Sequence, residues 1–444
     1  MRIIIAGAGE VGTHLAKMLS SEDEDILVLD KSSEKLEVLD ANYNLMTHRG
    51  SPISFDAQRE SGVEGSDLFI AVTPSETANI LACQIAKNLG ALHTVARIDN
   101  YEYLREGNRE FFDDLGVDSL IYPEMLAARE IMTALEVSWA RHWFELHDGE
   151  LILIGVKIRE NAPIIGHQLK ELTSANHYTH VAAIKRNHGT IIPRGDDEVA
   201  AGDIIYFTTT KEHVADIRTL CGKQDQHIKR VLVMGGSRIA VRFAELARDK
   251  FKVKMIEIDR KHCDKLAEKC PDARIVYGDA RDIDTLRDQG VQDFDAFVAL
   301  TDSSEANILT CLSAKELGVE KTIAEVEDIQ FISQAENLNI GTIINKKLIA
   351  SSKIFQILLD TDTDSSKCLA LADAEVAELE VHEGAKVTKG PIHTLKLPRD
   401  ITMAGMIRDG KGMLVSGGTQ LRAGDYVLVF TLGGAIHKLD KLFN

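Results

Sequence analysis

The sequence predicts an α/β protein with two doubly wound parallel sheets, each followed by a small α+β domain. Three observations lead there: an internal repeat at constant register, a strand–glycine turn–helix opening to each half, and a shift after each sheet region to short strands joined by glycine turns. The repeat comes first. Ala78–Gly90 (ANILACQIAKNLG) recurs as Ala306–Gly318 (ANILTCLSAKELG), an offset of 228 residues. The same offset carries Gly7 to Gly235, Gly50 to Gly278, Asp67 to Asp295, Thr73 to Thr301 and Arg97 to Glu325. A register held over that distance marks a duplicated chain.

In the first half, Arg2–Ala6 reads as a strand, Gly7–Gly12 as a turn, Val11–Leu19 as a helix and Ile26–Asp30 as a second strand. Strands follow at Leu45–Arg49, Leu68–Thr73 and His93–Ile98, with amphipathic helices between them. The second half repeats the series at Arg230–Met234, Val253–Asp259, Arg274–Tyr277, Ala296–Thr301 and Lys321–Val326. Short apolar strands alternating with helices imply a parallel sheet covered on both faces. The texture then changes to Phe144–Ile158, His180–Arg186 and Gly202–Thr209, and later to Glu375–Val381, Ile401–Ile407 and Gly424–Thr431. The boundaries expected are 1–125 for the first dinucleotide-type domain, 126–141 for a linking helix and 142–224 for the first small domain. The second pair is expected at 229–360 and 368–444.

Composition narrows the function. A formal net charge of −18 excludes a nonspecific nucleic-acid binder, which needs a basic face, and disfavours adhesion to anionic lipid. No run of Lys and Arg advertises a local basic patch. The longest apolar runs, such as Leu151–Val156 and Val427–Phe430, are strand-length and far short of the roughly 20 residues a membrane-spanning helix needs. The opening MRIIIAGAGEVG lacks the long apolar core of a signal peptide, and the six cysteines form no CxxC pair, so a reducing cytoplasm is expected.

The glycine turn carries the chemistry. Gly7-Ala8-Gly9-Glu10-Val11-Gly12 places a GxGxxG motif between a strand and a helix. The first glycine permits the tight turn, the second admits a pyrophosphate to the backbone, and the third lets helix and strand pack closely. Asp30 ends the next strand, where a carboxylate accepts hydrogen bonds from an adenosine ribose and repels a 2′-phosphate. This Rossmann-like arrangement favours NAD(H) over NADP(H) and leaves another adenine nucleotide, ATP or ADP, open. Thr73, at a strand's carboxyl end, and Arg97, a cation that could neutralise phosphate, are candidate additions to the site.

The second copy is altered. Gly235-Gly236-Ser237-Arg238-Ile239-Ala240 keeps the first glycine but has Ser237 and Ala240 in place of the second and third. Ser237 puts a side chain where phosphates come closest, while Asp259 and Gly278-Asp279 are retained as candidate ligand contacts. Glu325 reverses the charge of Arg97, so anion affinity is expected to differ between the halves. A catalytic constellation is not apparent. The histidines of the first small domain (His142, His147, His167, His177, His180 and His188) match no metal-binding spacing, and no GxSxG or Walker lysine loop occurs.

Two dinucleotide-type domains, each followed by a glycine-turn domain, resemble the TrkA family, the peripheral subunits of Trk potassium transporters. The residues that carry the resemblance are MRIIIAGAGEVG with Asp30, Ala71-Val72-Thr73 with Glu76 and Asn79, Ala96-Arg97, and the repeat at Ala299–Asp302 with Glu305 and Asn307. The resemblance covers essentially the whole chain and implies KTN or RCK_N domains paired with RCK_C-type domains. It further implies a non-enzymatic subunit on the cytoplasmic face of the plasma membrane, a homo-oligomer of four chains, and an integral-membrane partner of the TrkH or TrkG kind. NAD(H), and ATP against ADP, would be the ligands. Carried onto this sequence, the first site is Gly7 to Val11, Asp30, Thr73-Pro74 and Arg97. The second is Gly235 to Ile239, Asp259, Asp279, Thr301-Asp302 and Glu325. Pro74, Ser51 (where the repeat has Asp279) and Ser237 depart from the pattern. An NAD-dependent oxidoreductase and a regulator of another potassium transport or efflux system remain the alternatives.

Overall fold

The computed structural model describes residues 1–20, 24–175, 178–186, 189–224, 227–328, 331–332, 334–335, 338, 340–361, 367–371, 374–395, 397–432 and 442–443. The first parallel sheet contains β1 (Arg2–Ala6), β2 (Asp25–Asp30), β3 (Met46–Arg49), β4 (Leu68–Ala71), β5 (His93–Arg97) and β6 (Ser119–Ile121). Its order is β3-β2-β1-β4-β5-β6. This is the doubly wound order that reverses direction at β1 and β4, leaving a crevice there outside the strand ends. Ile3, Ile4 and Ile5 have no exposed surface, because the central strand is buried on both faces. Ile5 pairs with Val28 on one side and Ile70 on the other.

The second half repeats the sheet with β12 (Arg230–Met234), β13 (Lys252–Glu257), β14 (Arg274–Tyr277), β15 (Ala296–Ala299), β16 (Lys321–Glu325) and β17 (Thr342–Ile344). The order β14-β13-β12-β15-β16-β17 matches the first strand for strand. The strands expected from sequence are present, ending up to two residues earlier at their carboxyl ends. The sixth strand of each sheet has only three residues and no alternating pattern to announce it.

The small domains are duplicates as well. The first contains β7 (His142–Leu146), β8 (Leu151–Lys157), β9 (His180–Arg186), β10 (Gly189–Ile191) and β11 (Ile204–Thr209); the second contains β18 (Lys367–Leu371), β19 (Ala374–Glu380), β20 (Ile401–Arg408), β21 (Lys411–Leu414) and β22 (Tyr426–Leu432). Orders β10-β9-β11-β8-β7 and β21-β20-β22-β19-β18 are the same antiparallel topology. Each is pinned by one arginine–aspartate fork. Arg186 donates to Asp203 at 2.9 and 2.7 Å, and Arg408 donates to Asp425 at 2.8 and 2.6 Å. Asp409 and Gly410 both take positive φ in the two-residue loop between β20 and β21, as that tight hairpin turn requires. One apolar core joins the two small domains, with Leu153 and Tyr206 of the first beside Ala404 and Phe430 of the second.

By internal contacts the chain gathers into two compact units. One holds Met1–Arg129 with Glu327–Ile329 and Ile344–Thr361; the other holds Glu130–Val326, Gln330–Ile343 and Asp362–Asn444. Within the first unit, the helix Lys346–Thr361 packs on the helix Glu10–Leu19 that follows the glycine turn. Lys347 pairs there with Glu10 and, at 3.3 Å, with Glu327. Among the described residues no helix is long and apolar enough to cross a membrane.

Candidate functional site

The first glycine turn is shaped by its three glycines in three different ways. Gly7 has φ +119°, and a Cβ there would stand 3.1 Å from the backbone of Val72 and Thr73. At Gly12 a Cβ would stand 1.9 Å from the carbonyl oxygen of Gly7, so only glycine lets the helix approach the strand this closely. Around Gly9 no heavy atom lies within 4 Å of where a Cβ would be, which is the open space a phosphate needs. Gly9 caps the helix Glu10–Leu19 without a side-chain hydrogen bond, so the helix N–H groups are not taken by a capping side chain.

Asp30 stands at the carboxyl end of β2 and holds this turn in place. Its Oδ2 accepts from the Ala8 N–H at 2.7 Å, and its Oδ1 accepts from the Ser32 N–H at 2.8 Å. Each carboxylate oxygen accepts more than one bond, so capacity remains for ribose hydroxyls. The aspartate therefore fixes the glycine turn to the end of β2.

Thr73 is positioned by Asn79, which is fully buried. The Asn79 Oδ1 accepts from the Thr73 N–H at 2.9 Å and from its hydroxyl at 2.6 Å. The Asn79 Nδ2 donates to the carbonyls of Thr73 at 3.0 Å and Arg97 at 2.9 Å. One side chain thus staples the ends of β4 and β5 together, which explains why the repeated ANIL segment carries an asparagine. Asn307 does the same in the second half, bonding Thr301 and the Glu325 carbonyl at 2.6 to 3.1 Å. Arg97 pairs with Asp99 at 3.2 Å, and Pro74 is exposed beyond Thr73. Val11 is buried in the first helical turn, while Glu10 is exposed and paired with Lys347.

The second half contains a cleft of about 380 Å³ at the carboxyl ends of its strands. Gly235, Gly236, Ser237, Asp279, Thr301 and Asp302, all among the sequence-based candidates, line it. Ser237 accepts from the Ala240 N–H at 3.4 Å, so its hydroxyl occupies the capping position that Gly9 leaves open in the first copy. The remaining candidates stand elsewhere. Arg238 is exposed at the start of the helix, and Ile239 is buried in its packed face. Glu325 is buried with its carbonyl held by Asn307. Asp259 caps the helix Arg260–Lys269, accepting from the Lys261 N–H at 2.8 Å.

The counterpart of Asp30 in this copy is Glu257, the last residue of β13, which sequence reasoning passed over. Its Oε2 accepts from the Gly236 N–H at 2.8 Å and its Oε1 from the Asp259 N–H at 2.8 Å, reproducing both bonds of Asp30. The signal is a one-residue slip: the bond to the turn spans 22 residues in the first copy and 21 in the second. His262 and Arg281 also line the cleft. Arg281 grips Asp279 with a fork at 2.9 and 2.7 Å, which holds the Asp279 carboxyl below its usual range.

Of the histidines singled out, His147 bonds Glu378 at 2.9 Å, His167 faces Glu171 at 3.4 Å, and His142 stacks on Tyr206. His180 stands 3.4 Å from the Thr402 hydroxyl, while His177 and His188 lie outside the described residues. Among the described residues no group of three or more His, Cys, Asp or Glu side chains could hold a metal ion.

Comparison with known proteins adds to this geometry. The family model described as the TrkA-N domain matches residues 3–123 and 231–346, and that of the TrkA-C domain matches 153–222. The Trk system potassium uptake protein TrkA of Haemophilus influenzae is 30% identical over 453 residues, covering 100% of this chain and 98% of that protein. A TrkA homolog of Archaeoglobus fulgidus is 29% identical over 449 residues and covers 100% of both. Among solved structures, the GsuK RCK domain shares the fold with a TM-score of 0.61 at 15% identity, covering 100% of this chain and 94% of that one. The GsuK channel bound to NAD has a TM-score of 0.62 at 15% identity, covering 100% of this chain and 78% of its own.

Proposed function

The chain belongs to the TrkA family, and from that premise we propose that it is a nucleotide-sensing regulatory subunit of a potassium-uptake transporter, not an enzyme. The observation that carries the proposal is the paired turn geometry: Asp30 and Glu257 each hold a glycine turn by the same two backbone bonds, at corresponding places in two sheets. NAD(H) is the ligand proposed for the first turn, because the carboxylate at the end of β2 favours a free ribose and opposes a 2′-phosphate. The second cleft, with Ser237 capping its helix and Arg281 at its wall, is proposed to take an adenine nucleotide, ATP or ADP, on different terms from the first.

A ligand moves such a protein only by binding one arrangement more tightly than another. We therefore assign the output to an integral-membrane partner of the TrkH or TrkG kind, contacted from the cytoplasmic face by a homo-oligomer, with a tetramer as the proposed form. The test is co-purification of the full chain with such a partner, followed by K⁺ flux into vesicles with and without NADH, ATP and ADP. Nucleotide-dependent flux is expected. A chain that binds no membrane protein and changes no flux, or that turns over NADH with oxoacids, removes the proposal.

A further inference from the structure

The first glycine turn has a cation beside it that its own half of the sequence does not supply. The helix Lys346–Thr361 follows β17 of the second sheet along the chain, yet it belongs to the first compact unit and packs on the helix Glu10–Leu19. The two helices meet near their starts. The Ser351 hydroxyl donates to the Val11 carbonyl at 3.4 Å, and the Lys347 ammonium pairs with Glu10, the first residue after Gly9. Asn345, which is buried, fixes this end. Its Oδ1 accepts from the Lys347 and Leu348 N–H groups at 3.0 and 2.9 Å, and its Nδ2 donates to the Glu327 carbonyl at 3.1 Å. The Glu327 carboxylate pairs with Lys346 and, at 3.3 Å, with Lys347. Burial pushes that carboxyl up, but the two ammoniums outweigh it and hold it below its ordinary value, so it stays charged as their anchor.

The pair between Lys347 and Glu10 is lopsided. The Lys347 side chain is 17% exposed and also held by Glu327, whereas the Glu10 side chain is 65% exposed. An ion pair with so exposed a partner gives up little when that partner swings into water. Glu10 also heads a helix whose first N–H groups have no intrahelical acceptor. An acid there suits an empty helix end and opposes a phosphate arriving at it. The other copy carries the same two positions with both signs inverted. Arg238 stands for Glu10 at the 228-residue offset, and Glu124 stands for Lys347 at the 223-residue offset that relates Ser119–Ile121 to Thr342–Ile344. Each copy thus has one cation and one acid at these positions, and in the second the cation is on the turn's own helix.

We propose that Lys347 is a phosphate-binding residue of the first site. When a dinucleotide's pyrophosphate enters the Gly7–Gly12 turn, Lys347 exchanges Glu10 for the phosphate while Glu327 keeps its hold. The inference rests on the reading that the first turn takes NAD(H). Glu10 is then a competitor for the cation, and affinity is set partly by a side chain that the ligand displaces.

The test titrates the full chain with NADH by fluorescence, and follows melting without ligand, in wild type, Lys347→Gln, Lys347→Arg, Glu10→Gln and Gly9→Ser. Lys347→Gln is expected to weaken NADH about tenfold, the loss of one charge-assisted bond, while Lys347→Arg stays within about threefold of wild type. Glu10→Gln is expected to tighten NADH about threefold, because the competitor is gone. Those opposite signs separate binding from support. A pair that only joins the helices predicts that Lys347→Gln and Glu10→Gln lower the melting temperature alike and shift NADH affinity in the same direction or not at all; that result overturns the proposal. Gly9→Ser shows which turn the NADH occupies. If it weakens NADH while Lys347→Gln stays within about threefold, a change too small for a lost charge-assisted bond, this proposal falls and the reading of the turn stands. If neither variant weakens NADH, or wild type binds none, both fall.

Discussion

Replacing Asn79 or Asn307 by alanine tests how the strand ends at each site are held. Asn79 makes four hydrogen bonds at 2.6 to 3.0 Å, and its alanine variant would leave the Thr73 N–H and hydroxyl and the carbonyls of Thr73 and Arg97 without this partner. A net value of about 1 kcal/mol per bond, with water recovering part at the half-exposed Thr73 and Arg97, gives a loss of about 2–3 kcal/mol. Asn307 makes four equivalent bonds, but its far partner is the carbonyl of Glu325, which is only 3% exposed. Water cannot replace that bond, so Asn307→Ala should cost more than Asn79→Ala, about 3–4 kcal/mol. The assay is urea unfolding followed by circular dichroism, with hydrogen exchange at the Thr73 and Thr301 amides. A loss below about 1 kcal/mol in either variant, or an Asn79→Ala that is the costlier of the two, would refute the reasoning.

Exchanging the capping residues should move affinity and stability in opposite directions. Gly9→Ser is expected to raise stability by a few tenths of a kcal/mol and weaken NADH binding about tenfold, measured by melting and NADH fluorescence; unchanged affinity contradicts it. Ser237→Gly should do the reverse for adenine nucleotide at the second cleft. Asp425→Asn breaks the fork to Arg408 and a 2.7 Å bond from the Arg422 N–H, and should cost about 2 kcal/mol or more by urea unfolding. The folded Asp425 carboxyl lies below its ordinary value of 3.8, so its contribution is present above that pH and lost as pH falls through the folded value. The variant should lack that part of the acid loss, and an identical acid profile argues against it. Lys321 works the other way. Its ammonium is pushed down from 10.5 to about 7, so between those pH values the unfolded chain holds a proton that the folded chain has released. Stability contributed there rises with pH, and Lys321→Met should flatten the melting temperature between pH 7 and 10; a slope equal to wild type counts against the buried cation.

Much of the fold was legible because the duplication holds its register where packing is strictest. The Ala78 and Ala306 segments could be aligned by eye, and their asparagines proved to do the same job in both halves. Strands β6 and β17 escaped because three residues give no periodicity, and which sheet the helix Lys346–Thr361 covers depends on contacts that no local pattern encodes. At the site, Gly7, Gly12 and Asp30 were readable because steric demand and strand position leave few substitutes. Glu257 was missed because the second copy loses one residue between turn and strand end: the 228-residue register carries Asp30 to Ile258, and the aspartate beside it, Asp259, caps a helix instead.

The serine that caps the second turn has a consequence for how the chain responds to concentration. Ser237 supplies from within an acceptor for the Ala240 N–H at the start of its helix, the kind of acceptor a phosphate would otherwise provide. The first turn has no such internal substitute, so the nucleotide proposed for it would gain more there. On the proposed reading, two sites built on one plan, one competing with its own side chain and the other not, half-fill at different nucleotide levels. A single chain of that design would register both scarcity and abundance, spreading its response over a wider range than two identical copies would allow.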